Sequence, residues 1–494
     1  MGMPDGNIFN PLTDLWTKTE KMADGRWYPT NTSLLDGRML VTAGLADECA
    51  GYRQNNIPDL WQNGTWFRLT GAARALPLYP MMFAASNGKV FYAGPDVDTG
   101  YLDPTGNGAW TMTGNTALGN TMGGIPGPSM QNGSRASGTA VMYQPDRLLL
   151  IGGKGNYGPV IPNTNGTRPL GVTNSTELIE LTATGATFRP GPPMRYPRYH
   201  VNSTLLPDGS VLVTGGTTNH LSDADADAVL PAELWLPPSV GYPDGRWVAA
   251  AAMQVARLYH STAVLLPDGR VLSAGGGGGG QFTIHADAEV YSPWYLFGGA
   301  RPVLTSAPPI VGYQELFEVE TPSAAAVSRV TLVRLSSVTH SFNMNQRFLE
   351  LSFAPAGSTT LNVTAPANAI CPPGQYLLFV LNSQGIPSVG RMITVDVNRC
   401  PPVVSFTETE LSANRCEVVV RVRASGTNLG SSPRWFVDGV LQPVPVGQLF
   451  TDVVLDPNHQ LVSYELEVTP PCGGAVSRVR GTIKRLIKTC PMPN

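Results

Sequence analysis

One phrase occurs five times along the chain and limits its fold more than any other feature. Asp36-Gly37-Arg38-Met39-Leu40-Val41-Thr42-Ala43-Gly44 is echoed by Asn87-Gly88-Lys89-Val90-Phe91-Tyr92-Ala93-Gly94. A degenerate form follows, Asp146-Arg147-Leu148-Leu149-Leu150-Ile151-Gly152-Gly153. The cleanest repeats run from Pro207-Asp208-Gly209 to Gly215-Gly216 and from Pro267-Asp268-Gly269 to Gly275-Gly276. Each predicts a tight turn, a buried apolar strand and a glycine stop.

Successive repeats lie about 50 to 60 residues apart, the period of a kelch-type propeller blade. Between them, Asn10-Pro11-Leu12-Thr13-Asp14-Leu15-Trp16 and Asn63-Gly64-Thr65-Trp66 are expected to form outer blade strands, with tryptophan covering the seam. Glycine (54) and proline (44) make up a fifth of the 494 residues, against about 12% ordinarily. Charged residues are only 14%, which excludes coiled coils and long helices, while 42% hydrophobic residues exclude disorder. A net charge of −3 gives no basic field for nucleic acid. No apolar run is long enough to span a membrane.

The repeat stops near Tyr295. The expected fold class is all-β, in three parts. A kelch-type β-propeller covers 1–300. An immunoglobulin-like β-sandwich covers 301–398, opening at Arg301-Pro302, with strands at Val330 to Leu335, Leu349 to Phe353 and Gln375 to Asn382. After the hinge Cys400-Pro401-Pro402, a cysteine-containing β-sandwich module covers 399–494. The cysteines are Cys49, Cys371, Cys400, Cys416, Cys472 and Cys490. Cys400, Cys416, Cys472 and Cys490 are expected to form two disulfides in an oxidising compartment, with three connectivities open. That places the protein outside the cell or at its surface, although the first residues lack the pattern of a signal peptide.

Two repeats are preceded by an aromatic-histidine phrase, Arg198-Tyr199-His200-Val201-Asn202-Ser203 and Arg257-Leu258-Tyr259-His260-Ser261-Thr262. Both fall on an innermost blade strand or at its mouth, where propellers hold ligands. The plain alternative is that these rings fill the channel lining. His340, in Ser337-Val338-Thr339-His340-Ser341-Phe342-Asn343-Met344-Asn345-Gln346-Arg347, belongs to the sandwich, where a hydrogen-bonded turn histidine is the alternative. Imidazole and phenolate together suit Cu(II) with a position open to substrate. His200, His220, His285 and His459 match no ligand pattern.

These phrases resemble the copper radical oxidases, the galactose oxidase and glyoxal oxidase family. Arg257-Leu258-Tyr259-His260-Ser261 with Leu266-Pro267-Asp268-Gly269-Arg270-Val271 is similar to the family's axial-tyrosine and first-histidine motif. Thr339-His340-Ser341 with Asn345-Gln346-Arg347 resembles the second-histidine motif, on a sandwich hairpin that reaches into the propeller. Arg26-Trp27-Tyr28 before Leu35-Asp36-Gly37-Arg38 resembles the motif of the redox-active tyrosine. The similarity covers roughly residues 7 to 397.

The resemblance implies one copper ion held by Tyr28, His260 and His340 equatorially and by Tyr259 axially, with Tyr259 as base. It implies oxidation of a small alcohol, aldehyde or sugar by O2 to give H2O2, with a tyrosyl radical on Tyr28 where a crosslinking cysteine is present. The family takes that cysteine from the preceding blade, and none of the 27 residues before Tyr28 is a cysteine. About two blades of the seven-bladed family are likewise expected to be missing ahead of Met1. Cys49, in the loop after the first repeat, is a second candidate for the crosslink, or a plain loop cysteine. A non-catalytic propeller binding a cell surface or cell-wall polysaccharide is the alternative function.

Overall fold

The structure, a computed structural model, describes residues 2–10, 13–46, 53–115, 135–156, 170–221, 223–278, 283–397, 403–413, 418–427, 434–438, 440–443, 450–455, 461–468 and 477–484. Every repeat has become one antiparallel sheet. The first blade consists of Thr30–Ser33, Met39–Thr42, Asp59–Gln62 and Thr65–Arg68, in that order. The second consists of Met82–Ala84, Val90–Tyr92, Asp98–Asp103 and Ala109–Asn115, the third of Thr139–Gln144, Arg147–Ile151, Thr176–Leu181 and Ala186–Gly191. The fourth is Asn202–Leu205, Val211–Thr214, Pro231–Leu236 and Arg246–Ala252, and the fifth Thr262–Leu265, Val271–Ala274 and Ala288–Tyr291.

The recurrent phrase makes the same object each time. Leu34, Ala85, Leu206 and Leu266 each close the turn, accepting from Gly37, Gly88, Gly209 and Gly269 and donating to the residue that follows that glycine. These glycines sit at φ +80° to +88°, open to them and costly to other residues. In the degenerate third repeat Asp146 takes that conformation instead, at φ 59°. The strand that follows is wholly buried in the fourth blade, Val211–Thr214. Its closing glycines let the next blade approach. A Cβ at Gly215 would lie 2.4 Å from the Arg257 carbonyl oxygen, and that oxygen accepts from Gly216 N–H at 2.8 Å.

In four of the five blades a buried arginine just ahead of the innermost strand ties it to that blade's own second and third strands. Arg198 donates to the Gly215 carbonyl at 2.8 Å and to Glu233 at 2.9 Å, with both side chains nearly inaccessible. Arg26 does the same with Ala43 O and Asp59, Arg135 with Gly152 O and Ser175 O, and Arg257 with Gly275 O and Asp287. In the second blade Pro77 stands near the equivalent position.

The expected outer strand at Asn63–Trp66 is present as Thr65–Arg68. The phrase around Trp16 behaves differently: Leu15–Lys18 pairs only with Asn7–Asn10, and Trp16 is 70% exposed, so it covers no seam. Among the described residues each strand of that hairpin has the other as its partner, and the ring contact of the Trp16 indole is with Phe9 at 5.0 Å.

The sandwich has one sheet of Phe348–Leu351, Val327–Arg334, Gly374–Asn382 and Arg391–Val395, and another of Leu316–Glu320, Thr360–Thr364 and Phe353–Pro355. It shares its core with the propeller: Val333, Phe348, Leu377, Phe379 and Leu381 belong to the same buried cluster as Val211, Trp235 and Tyr295. Contacts accordingly divide the chain into two compact units, 1–309 with 316–395, and 310–315 with 396–494. The second has its own core around Val420, Val422, Trp435, Val453 and Leu466. Cys49, Cys400, Cys416, Cys472, Cys490 and His459, with the expected disulfides, lie outside the described residues. Cys371 is buried, its sulfur 3.2 Å from Tyr376 Oη. Among the described residues no helix is long and apolar enough to cross a membrane.

Candidate metal centre

The blades present side chains to one place through a shared backbone device. Two or three residues before each innermost strand, the chain turns through a left-handed corner: Tyr28 (φ 62°), Tyr79 (49°), Ser137 (50°), His200 (61°) and His260 (63°). The residue just before the corner pairs across the blade. Trp27 exchanges hydrogen bonds with Leu45, and Tyr199 with Thr217. The corner residue thus leaves the ladder. Non-glycine residues in this region are held at a cost of roughly 1–3 kcal/mol each, and such positions cluster at functional sites.

His340 arrives from the sandwich on a hairpin, Val338–Thr339 paired with Phe342–Asn343. Its two-residue turn is His340 (φ 48°) and Ser341 (φ 71°), both in the region a type I′ turn demands and Asn-Gly ordinarily fills. Phe342 anchors the hairpin, edge-on to Phe83 and buried with the second and third blades.

The structure brings Tyr28, Tyr259, His260 and His340 together. The two phenol oxygens are 3.0 Å apart. The imidazoles of His260 and His340 are 4.6 Å apart and crossed at 88°. Tyr28 lies 4.3 Å from the His340 ring, and Tyr259 lies 5.2 Å from it and 3.8 Å from that of His260. His340 Nδ1 contacts the Thr339 hydroxyl at 2.7 Å, while Nε2 is buried with no hydrogen-bond partner, an acceptor of the kind a metal satisfies. Among the described residues no group of three or more His, Cys, Asp or Glu side chains is placed to hold a metal, so this donor set depends on its tyrosines.

Burial, and then the Tyr28 hydroxyl, push the Tyr259 phenol up. Burial pushes His340 down to about 4 and His200 down to about 3, so both are neutral imidazoles near pH 7. His200 lies against Tyr259, 4.8 Å ring to ring, on the wall of the cavity. The other histidines lie apart. His285 contacts Asp225 at 2.9 Å, and His220 is in a turn with Lys154 nearby.

Tyr28 and Tyr259 face a cavity of about 610 Å³. Leu45, Pro77, Leu78, Met81, Pro95 and Phe342 form its apolar wall, and Gln54, Ser137, His200 and Asp223 its polar one, with no lysine or arginine in the described lining. Two neighbours escaped the sequence reading. Trp27 stacks on Tyr28 at 3.7 Å and 16°, and Tyr79 stacks on His340 at 4.4 Å and 23°. The signal for Tyr79 was present: Leu78-Tyr79-Pro80 repeats the pattern of Trp27-Tyr28-Pro29 one blade later.

A family model described as "Galactose oxidase-like, Early set domain" matches residues 301–395, the sandwich alone. A galactose oxidase of Gibberella zeae is 27% identical over 412 residues, 79% of this chain and 57% of that protein. The chain thus spans little more than half the length of that relative. The aldehyde oxidase GLOX of Vitis pseudoreticulata is 27% identical over 418 residues, 76% of this chain and 73% of its own. Among solved structures, a fungal alcohol oxidase of the AA5 family in complex with copper superposes with a TM-score of 0.67 at 23% identity, covering 80% of this chain and 81% of that one. The match on the sandwich covers the domain that carries His340, the relatives align across the propeller as well, and the chain is similar in sequence and fold to the copper radical oxidases.

Proposed function

We propose that the chain is a copper-dependent oxidase that removes two electrons from small alcohols or aldehydes and passes them to O2, releasing H2O2. The carrying observation is the convergence of two phenols and two crossed imidazoles around the unpartnered Nε2 of His340. That donor set fits Cu(II), which would be held by Tyr28, Tyr259, His260 and His340. Bound there, copper would supply a one-electron acceptor and polarise the substrate oxygen.

The chain's own residues account for the rest. Tyr259, in the phenolate form that bound copper would favour, would take the substrate hydroxyl proton, and its phenol oxygen lies 3.0 Å from that of Tyr28 on the same cavity wall. Tyr28, in its one-electron oxidised form, takes a hydrogen atom from the substrate carbon. An alcohol RCH2OH thereby becomes RCHO, and its two protons and two electrons leave with O2 as H2O2. An aldehyde enters as its hydrate, which carries the same hydroxyl. The radical on Tyr28 requires a cysteine crosslink to lower its potential. In the given sequence no cysteine precedes Tyr28, and Cys49 is the first to follow it. The described lining, which holds no lysine or arginine, favours neutral substrates over anionic ones. Four cysteines in the last 95 residues accord with an extracellular setting.

The test is copper stoichiometry with peroxide release. The wild-type chain should take up one Cu(II), His260→Ala and His340→Ala should each lose it, and His200→Ala should keep it. Equal loss in all three variants would assign the wrong ligands, and absence of peroxide from every alcohol and aldehyde tried would remove the activity.

A further inference from the structure

What His340 can offer a metal depends on which ring nitrogen carries its proton. Two arrangements satisfy the 2.7 Å contact between Nδ1 and the Thr339 hydroxyl. If Thr339 donates, the proton sits on Nε2, a buried donor with no acceptor, and that nitrogen is closed to a cation. If Nδ1–H donates instead, Nε2 keeps its lone pair toward the place where Tyr28, Tyr259 and His260 converge. The Thr339 proton is then free to turn to the phenol of Tyr79, with which the Thr339 side chain also interacts. Only the second arrangement leaves no buried donor without an acceptor.

The ring plane is held independently. Tyr79 reaches His340 from the left-handed corner of the second blade and lies on its ring at 4.4 Å and 23°. Tyr28 packs beside both, 4.8 Å from Tyr79 and 4.3 Å from His340. His340 itself stands on a strained two-residue turn, which by itself leaves the side chain free to rotate.

We propose that Thr339 and Tyr79 are positioning residues for His340: the Thr339 hydroxyl selects the Nδ1–H tautomer, and the Tyr79 ring fixes the imidazole plane, so that Nε2 is presented to a metal. This rests on the reading of His340 as a ligand. Partners of this kind on a ligating histidine commonly contribute 10- to 100-fold in metal affinity.

The test uses the full chain with Thr339→Val, Thr339→Ser, Tyr79→Ala and Tyr79→Phe, and two readouts. The first is the tautomer of His340 in the metal-free protein, from nitrogen chemical shifts of 15N-labelled histidine. The second is Cu(II) affinity by competition with a chelator. Thr339→Val should move the proton to Nε2 and weaken copper roughly 10- to 100-fold. Thr339→Ser, which keeps the hydroxyl, should restore both. Tyr79→Ala should weaken copper, and Tyr79→Phe, which keeps the ring, should recover most of the affinity. An unchanged tautomer in Thr339→Val, or the Nε2–H form already present in the wild type, overturns the proposal. Failure of the wild type to bind copper would sink the ligand reading, while the tautomer measurement would still decide the role of Thr339.

Discussion

At the scale of the residue, the left-handed corner separates what the sequence could disclose from what it could not. Tyr259-His260, ahead of a repeat, and Thr339-His340, in the sandwich, stand out because a histidine beside a tyrosine or threonine is chemically pointed. Tyr79 and Ser137 occupy the same corner with no histidine beside them, so Tyr79 was signalled only by the echo of Trp27-Tyr28-Pro29 in Leu78-Tyr79-Pro80, and Ser137 by nothing. His200 illustrates a corner residue outside the donor set. It is 7% exposed, faced by Lys154, Asp223, Tyr199, Tyr259, His260 and His340, and burial holds it down to about 3 against an ordinary 6.5. Asp223 Oδ1 is 3.8 Å from its Nε2, beyond hydrogen-bond distance, and does not hold the ring protonated. The unfolded chain therefore takes up this proton first as pH falls. The stability His200 contributes is complete above pH 6.5, declines toward pH 3 and changes no further below that. The slope is on the order of 1 kcal/mol per pH unit. Urea midpoints of the metal-free protein at pH 7 and pH 5 should fall further for wild type than for His200→Leu. Equal falls would show that His200 is protonated in the folded state.

At the scale of the element, the blade was the most legible feature, since an Asp-Gly turn, a buried strand and a glycine pair are all local. Why the pair is glycine was not, because the atom it admits belongs to another blade: the Arg257 carbonyl at Gly215, and the Arg198 carbonyl at Gly152. The arginines were visible only as the first letter of each aromatic-histidine phrase. Their acids lie about 30 residues on, Asp59 after Arg26 and Glu233 after Arg198, a spacing no local pattern announces. These ties hold the corner at the right height, and they make a sharp stability prediction. Arg198→Met leaves Glu233 as a buried, uncompensated carboxylate and should cost about 3–5 kcal/mol. The same change at Arg147, whose partner Glu180 is 56% exposed, should cost under about 1 kcal/mol. Denaturant titration of the two variants decides it, and similar losses in both would mean the buried pair contributes no more than a surface one.

At the scale of the whole molecule, sequence patterning separates propeller from sandwich at residue 300, whereas contacts join them. A change of strand phrase marks where one architecture stops, but bonds between distant positions decide what folds together. Among the described residues, a series of such bonds runs from the sandwich and its leading segment into the blades. Arg347 donates to Ala84 O, Gln346 to Ser203 O, Thr331 to Pro207 O, Arg329 to Asp208 O, Arg301 to Asp268 O and Gly390 to Pro267 O. Four of the acceptors, Pro207, Asp208, Pro267 and Asp268, lie in the recurrent turns themselves. Gly209 lies so close to the Phe348 ring that a Cβ there would stand 3.1 Å from it. The hairpin bearing His340 is thus seated by the blades, and the proposed donor set straddles the boundary that the change of strand phrase draws. Residues 399–494 supply none of Tyr28, Tyr259, His260 or His340, nor any contact described for them. A chain ending at residue 398 should therefore bind Cu(II) with affinity close to that of the full protein, while residues 1–300 alone should not form the centre, having lost His340 and the core shared around Phe348. Isothermal titration of both truncations against the full chain checks it. Loss of copper from the longer truncation would make the last module part of the site. Stoichiometric binding by residues 1–300 would mean that another group replaces His340, and the donor set would have to be redrawn.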